Sequence, residues 1–341
     1  MATHPRIALY GIGFIGKGMA KLADEMGWPI VAAYNRAGDK VGQDLGRVAG
    51  LDKDLGVIVQ DCEQADYRRL QADIAVVAIR SPVPGGGCFE AYERFLGNGI
   101  NVLAMDSYQY NPSWHDPEQA AKVDALAKQH GVTFTGTGLW DMTRIWPGLI
   151  AAGSCIRIDS MEYVTATEPL RQGVHWAQPL GIGMTVEEYD AKIGRVAKLS
   201  AVYESLGVIA LQYCGFTVSG VTMTQEPVLE EEPVYCKQLD KTFAPGTCLG
   251  TRTVIETSSK EGVSVRSVID LRVLKPGDAE HGTWKVNGMP GMQVQVVREE
   301  TSLASAAGAI NRIPDVIAAK PGIVTIMELG PMKPVKKGLM S

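Results

Sequence analysis

Arg6-Ile7-Ala8-Leu9-Tyr10-Gly11-Ile12-Gly13-Phe14-Ile15-Gly16 is the stretch that decides how this chain folds. An apolar run over residues 6–10 ends at Gly11, and glycines then follow at the spacing G-x-G-x-x-G. Beyond them Ile15, Met19, Leu22 and Met26 recur at helical spacing, and Gly27 supplies a stop. The order is therefore strand, tight turn, helix. In such a unit Gly11 permits the turn and Gly13 lets the backbone approach a pyrophosphate. Gly16 lets helix and strand pack closely, while the helix start at Phe14 and Ile15 turns its N–H groups and positive end toward phosphate. Glycine is common here, at 38 residues, so a ligand-free turn is the plain alternative. The flanking elements favour the dinucleotide reading.

The next strand, over residues 29–34, bears on the choice of cofactor. Chains that bind NAD place an acid at its end to accept hydrogen bonds from the ribose 2′-hydroxyl. Here the strand ends Ala33-Tyr34-Asn35-Arg36, with no acid. Arg36 offers a guanidinium that can pair with a 2′-phosphate and stack on adenine, so NADP is expected over NAD. Arg36 as an ordinary exposed residue is the alternative. Asn35 adjoins the same edge, and Lys40 adds positive charge. After a later buried strand (residues 74–79) comes Ala78-Ile79-Arg80-Ser81-Pro82-Val83-Pro84-Gly85-Gly86-Gly87. That loop lies at the carboxyl edge where a dinucleotide crosses, which makes Ala78 and Arg80 candidate contacts. A flexible loop without a role is the competing reading.

Strands and helices alternate through the first half. Helices are expected over 41–48, 89–96 and 117–130, and strands over 101–105 and 132–135. The fold class is α/β: an N-terminal Rossmann-like doubly wound parallel sheet with a second, mixed α/β domain. After about residue 146 longer strands are expected over 155–167, 251–256, 263–273 and 292–298. A helix is expected over 185–206 with Gly207 as its stop, and a long loop or edge excursion over 226–245, whose acidic run Glu230–Glu232 is by default solvated, with a lid or a dimer contact as the alternatives. A further helix is expected over 301–310, then a turn over 314–321.

Composition excludes several classes. The 341 residues are 45% hydrophobic and 21% charged, enough apolar material for packed domains. A formal charge of −5 disfavours nucleic acid as a partner. No apolar run reaches the ~20 residues of a membrane span, and a cytoplasmic location without membrane contact is expected. The six cysteines are scattered without a CxxC pair, and no His/Asp/Glu cluster has ligand spacing, so no metal is expected.

GIGFIGKGMAKLADEMGWPIVAAYNRAGDKVGQDLGRVAGL at the N-terminus and INRIPDVIAAKPGIVTIMEL (residues 310–329) near the other end carry a resemblance. NVLAMDSYQYNPSW and FTGTGLWDMTRIWPGLIAAG lie at corresponding places between them. Together they resemble the dihydrodipicolinate-reductase-like oxidoreductases, nearest to the branch of 2,4-diaminopentanoate dehydrogenase and the native amine dehydrogenases. Residues of about 155–300 match loosely. The resemblance implies a nucleotide-binding domain at 1–145, with 301–341 returning to it, and a substrate-binding and dimerisation domain at 146–300. It implies a homodimer and a small-molecule substrate. It also implies hydride transfer between NAD(P) and a carbon bearing an amine, through an imine.

Three departures matter. The paired histidines of dihydrodipicolinate reductases are absent, since the five histidines are dispersed. The glutamate that handles the amine proton in the amine dehydrogenases is missing from Met105-Asp106-Ser107-Tyr108. Asp106 and Tyr108 are the candidates to replace it, because a carboxyl desolvated at a strand end suits proton transfer. The bland alternative is that Asp106 caps a turn and Tyr108 packs. Finally Trp140, Asp141 and Arg144 follow the Gly-Thr-Gly at 136–138, where the resemblance places the floor of a substrate pocket. Arg144 there either clamps a carboxylate or pairs with Asp141 at i, i+3, and the structural pair is favoured. Trp140 supplies an aromatic wall or packs. His175 is a titratable candidate in the second domain, against the alternative of packing, and Asn311 a candidate contact to substrate or nicotinamide.

An NADP-dependent oxidoreductase acting on a C–N bond is the leading expectation. A reductase of a carbonyl or activated double bond, and a non-catalytic NADP-binding sensor, are the alternatives.

Overall fold

Small and β-branched side chains with no polar face make the first strand, β1 (Ile7–Tyr10), and all four residues are buried. That burial requires helices on both sides of it. The computed structural model describes residues 4–80, 87–106, 110–197, 201–298 and 301–335. From β1 the chain runs through α1 (Phe14–Met26), β2 (Ile30–Asn35), α2 (Leu45–Ala49), β3 (Val59–Asp61) and β4 (Ile74–Val77). It continues through α3 (Phe89–Leu96), β5 (Asn101–Ala104), α4 (Pro112–His115), α5 (Pro117–Gln129) and β6 (Thr133–Gly136). Gly27 ends α1 in the left-handed region at φ 70°, which an L side chain rarely adopts.

A second stretch contains α6 (Trp146–Ala152), β7 (Arg157–Thr167), α7 (Val186–Lys192), α8 (Ala201–Tyr213) and β8 (Val218–Pro227). It goes on with β9 (Val234–Cys236), β10 (Lys241–Phe243), β11 (Gly250–Ser259), β12 (Ser264–Arg272), β13 (Glu280–Met289) and β14 (Met292–Arg298). Then follow α9 (Thr301–Ala318), β15 (Gly322–Ile323) and α10 (Ile326–Leu329). The chain divides into two compact units, residues 1–142 with 300–341, and residues 143–299.

In the first unit seven parallel strands form one sheet in the order β15-β6-β5-β4-β1-β2-β3. This is a Rossmann-type doubly wound sheet, with the order reversing at β1/β4. One face is covered by α3 and α5, with Tyr92 and Phe95 of α3 in one core with Phe134 of β6. The other is covered by α1 and α9 through their own Met19, Ala20, Ile310 and Ile313.

In the second unit six strands form a mixed sheet in the order β14-β13-β7-β12-β11-β8. Only the β7–β12 pair among them is parallel. Trp284 of β13 and Thr257 of β11 stand on one face, against α6 and α8. Along β7, Met161, Tyr163, Thr165 and Thr167 are buried on that face while Glu162 and Val164 are exposed on the other.

The structure differs from the sequence reading in places that have local causes. The helix expected over 185–206 is two, because Gly194 turns left-handed at φ 82° after α7. Gly207 is no stop: it sits inside α8, where an added Cβ would lie 2.9 Å from Thr257 Cβ. The expected loop over 226–245 holds the end of β8 and the β9–β10 hairpin. Its acidic run is not merely solvated, since Glu230 pairs with Arg272 at 2.5 Å and with Lys275 at 2.7 Å. Strands β3, β8, β13 and β15 were not expected, and α9 continues through Pro314 instead of ending near 310.

Packing of α6 onto the sheet sets a clear expectation. A Cβ at Gly148 would stand 2.5 Å from Trp284 Cδ2, on an indole whose Nε1–H is also held by Arg144 O at 2.5 Å. Gly148→Ala should therefore lower stability by about 1–3 kcal/mol through overpacking. Urea denaturation of the two proteins checks this, and equal midpoints would show that the indole can move aside.

Candidate active site

The glycine turn is built by steric exclusion. Gly11 has φ 100°, and a Cβ there would meet Ala78 O at 2.6 Å and Ile79 Cγ2 at 2.5 Å. A Cβ at Gly16 would overlap the Gly11 carbonyl oxygen. So glycine at these two positions is what lets β1, α1 and the chain after β4 converge. Gly13, by contrast, has nothing within 4 Å of where its Cβ would be. It is the N-cap of α1 and no side chain caps that helix start. Phe14 is 48% exposed and Ile15 is half-buried. A helix N-terminus with open space before it and no side-chain cap is suited to an anion.

β2 delivers its end beside this turn. Gly11 N–H donates to Tyr34 O at 2.8 Å, and Ile12 N–H donates to Asn35 Oδ1 at 3.2 Å. Arg36 is exposed and forms no ion pair with an acid among the described residues. Ala78 N–H bonds Tyr10 O at 2.8 Å, which brings the chain after β4 alongside the turn. Arg80 is exposed just beyond it. The following proline- and glycine-rich residues 81–86 lie outside the described residues.

Asp106 follows β5 at the same carboxyl edge, where Val77 pairs with Ala104 and Ala104 with Gly136. Its Oδ2 accepts from the Tyr92 hydroxyl and, at 3.1 Å, from the Cys88 N–H at the start of α3. A carboxylate at a helix N-terminus is a favourable electrostatic arrangement. Burial, then the Asp106 charge, push both the Cys88 thiol and the Tyr92 hydroxyl well above their ordinary ranges, so both stay protonated. Asp106 thus does cap the approach to α3. Tyr108, the other candidate at this place, lies outside the described residues.

Asp141 is the residue that sequence reasoning undervalued. It opens a π-helical turn, Asp141–Ile145, three residues after Gly138. A π turn hydrogen-bonds its backbone from i to i+5 and so carries residues three apart round to different faces, and the i, i+3 pairing expected with Arg144 gives way. Instead the Thr137 hydroxyl donates to Asp141 Oδ2 at 2.8 Å, and Arg312 of α9 stands 3.7 Å from the same oxygen. Asp141 and Arg312 are both fully buried. Arg312 also donates to Asp315 at 2.9 Å and to Gly330 O at 2.8 Å. Burial pushes the Asp141 carboxyl from 3.8 up to about 7, a rise that the Thr137 bond and the Arg312 charge oppose without cancelling. Arg312 sits next to Asn311 in the INRIPD stretch, so the signal was in view but fell on its neighbour. Asn311 itself uses Oδ1 to accept from Val335 N–H at 2.9 Å, a latch on the chain beyond α10. Trp140 stacks on Tyr110 at 5.9 Å, with 27° between the rings.

Two candidates belong to the second unit. Arg144 is buried, donates to Thr167 Oγ1 at 3.1 Å and lies over the Tyr203 ring at 5.7 Å. Arg298 donates to the same hydroxyl at 3.2 Å and approaches Glu280 at 3.6 Å. Burial and the neighbouring Arg144 charge lower the Arg298 guanidinium from its ordinary value. His175 is exposed on a short 3-10 turn, its ring 5.6 Å from Trp176. Among the described residues no cluster of His, Cys, Asp or Glu could hold a metal, and no helix is long and apolar enough to cross a membrane.

A family model described as the 2,4-diaminopentanoate dehydrogenase C-terminal domain matches residues 149–341. The chain belongs to this family. Along nearly its whole length it is 26% identical to 2,4-diaminopentanoate dehydrogenase of Acetoanaerobium sticklandii, covering 98% of this chain and 95% of that one. The solved amine dehydrogenase of Mycobacterium smegmatis matches with a TM-score of 0.81 and 28% identity, over 97% of this chain and 98% of that one. A dihydrodipicolinate reductase from Paenisporosarcina shares the fold, at a TM-score of 0.54 and 12% identity over 95% of this chain and 99% of that one. Membership of this diaminopentanoate dehydrogenase family makes the chain an oxidoreductase of the dehydrogenase type.

The buried Asp141 gives a pH signature. The folded chain keeps its proton up to about pH 7, whereas an unfolded chain releases it near the ordinary 3.8. Between those values the folded state binds more protons, so this group makes stability fall as pH rises. Urea unfolding from pH 4 to 8 should show that Asp141→Asn removes this downward contribution relative to the parent. Parallel stability profiles would mean that Asp141 is ionised in the folded chain throughout.

Proposed function

We propose that the protein is an NADP-dependent oxidoreductase acting on a C–N bond, reducing an imine or dehydrogenating an amine of a small molecule by hydride transfer. The observation that carries this reading is the glycine turn: an uncapped α1 start facing open space, beside a β2 end that offers Arg36 and no acid. The two relatives that span the whole chain are named for an amine and a diaminopentanoate, and they supply the C–N part.

In this reading Gly11, Gly13, Phe14, Ile15 and Gly16 receive the pyrophosphate, and Arg36 pairs with the 2′-phosphate. Ala78 and Arg80 border the cofactor where it crosses the carboxyl edge. When bound, the nicotinamide supplies or accepts the hydride. Asp106 exchanges a proton with the substrate nitrogen while the Tyr92 hydroxyl and the Cys88 N–H hold its Oδ2 in place, and Tyr108 is the second candidate donor. Trp140 forms an aromatic wall, and Arg144, His175 and Asn311 are the remaining substrate-side candidates. Residues 146–300 serve as substrate-binding and dimerisation domain of a cytoplasmic homodimer.

Reduction of a carbonyl or activated double bond is the second reading. The held Asp106 favours it, because a carboxylate already serving Tyr92 and α3 replaces the expected glutamate. NADPH oxidation with ketones and keto acids, with and without ammonium, separates the two. Oxidation should require ammonium and fall by about 10²-fold or more in Asp106→Asn, the usual scale for a lost acid–base group. Turnover indifferent to ammonium would leave a carbonyl reductase, and tight NADPH binding with no turnover across the panel would favour the sensor.

A further inference from the structure

Ile12, the residue between the first two glycines of the turn, is pinned from both sides. Its N–H donates to Asn35 Oδ1 at 3.2 Å, and its carbonyl oxygen accepts from Lys40 Nζ at 2.9 Å. The first bond fixes the Gly11–Ile12 peptide plane and the second fixes the Ile12–Gly13 plane. A trans peptide points its N–H opposite to its C=O. With Ile12 C=O turned to Lys40, the Gly13 N–H is turned the other way. Among the described residues that N–H has no acceptor, and a Cβ on Gly13 would meet nothing within 4 Å. The clamp therefore leaves that N–H turned away from Lys40, without an acceptor among the described residues, at the start of α1.

The clamp is itself held rigidly. Asn35 Nδ2 donates to Arg36 O at 3.1 Å, which sets the amide so that its oxygen faces Ile12. The chain carrying Lys40 is stitched to β3 through Gly42 N–H to Val59 O at 2.9 Å and Val59 N–H to Gln43 O at 2.9 Å. Lys40 is half-buried and forms no ion pair with an acid among the described residues. Its charge is thus directed at the turn and is not spent on a carboxylate. Arg36 is placed differently: its guanidinium is exposed and forms no ion pair with an acid among the described residues.

We propose that Asn35 and Lys40 are positioning residues for the glycine turn, and that Lys40 acts on the pyrophosphate common to both nicotinamide cofactors and not on the 2′-phosphate. This rests on the dinucleotide reading of the turn given above. It assigns selectivity to Arg36 and general affinity to Lys40, although the sequence places both cations at one strand end. It also removes Asn35 from the candidates for direct contact with ribose, because its oxygen is used by Ile12.

Titration of NADPH and NADH by quenching of protein fluorescence tests the division. Lys40→Met should weaken both cofactors about tenfold, the scale of one charge-assisted hydrogen bond, and leave their affinity ratio within about twofold of the parent. Lys40→Arg should restore most of the loss for both. Arg36→Ala should weaken NADPH about tenfold with NADH nearly unchanged. Selective loss of NADPH in Lys40→Met would overturn the proposal, because Lys40 would then read the 2′-phosphate. Unchanged affinities would overturn it too, as would a lower thermal midpoint accompanied by no change in binding. Failure of the parent protein to bind either cofactor would overturn the dinucleotide reading beneath it, which the parent titration alone reveals.

Discussion

Everything in the first unit is arranged around one steric constraint: the chain after β1 must turn within the space left by the chain after β4. Gly11 meets Ala78 and Ile79 so closely that a methyl group has no room, and Gly16 meets the Gly11 carbonyl in the same way. Glycine allows the positive φ and the contact together. The outcome is that α1 begins hard against the turn, with no side chain capping its start. The ends of β2, β4, β5 and β6 then fall on one carboxyl edge around that start.

Buried charge is the second organising theme. Asp141 and Arg312 tie the turn after β6 to α9, and Arg312 extends the tie to Gly330. The Arg312 guanidinium is offset by Asp315, and by Asp141 once that carboxyl ionises near pH 7, and charges buried in this way contribute little net stability once desolvation is counted. Their effect is to allow one arrangement of the segments they join. In the second unit Thr167 plays a comparable part, accepting from Arg144 and Arg298 while Glu280 offsets charge nearby. Here a single hydroxyl brings two guanidiniums together, and burial of one depresses its basicity.

How much was legible follows from the range of each interaction. The parallel sheet was readable because β1, β4 and β5 are short apolar runs bounded by glycine or a turn, and because α1 carries a left-handed glycine at its end and α5 a proline in its first turn, next to them in sequence. Strands β8 and β13 were not readable: their burial alternates with Thr, Gln and Lys, so their hydrophobicity is that of a half-covered sheet. Gly207 misled because its small size serves an approach by Thr257, some 50 residues away in the chain. Asp141 misled because i, i+3 spacing presumes an α-helix, and the local turn is π.

The sequence by itself determined the strand–turn–helix unit, the absence of an acid at the end of β2, the α/β class and the likeness to the dehydrogenase family, because each is encoded by residues adjacent in the chain. Only the tertiary structure decided which partners the polar side chains take. Asn35 and Lys40 grip Ile12, Asp106 holds Tyr92 and the start of α3, Asn311 latches Val335, and Asp141 chooses Arg312. A side chain's charge and length fix what it can bond, but its partner is whichever complementary group the packed core brings within hydrogen-bond or ion-pair reach, and these partners are 14 to 171 residues away.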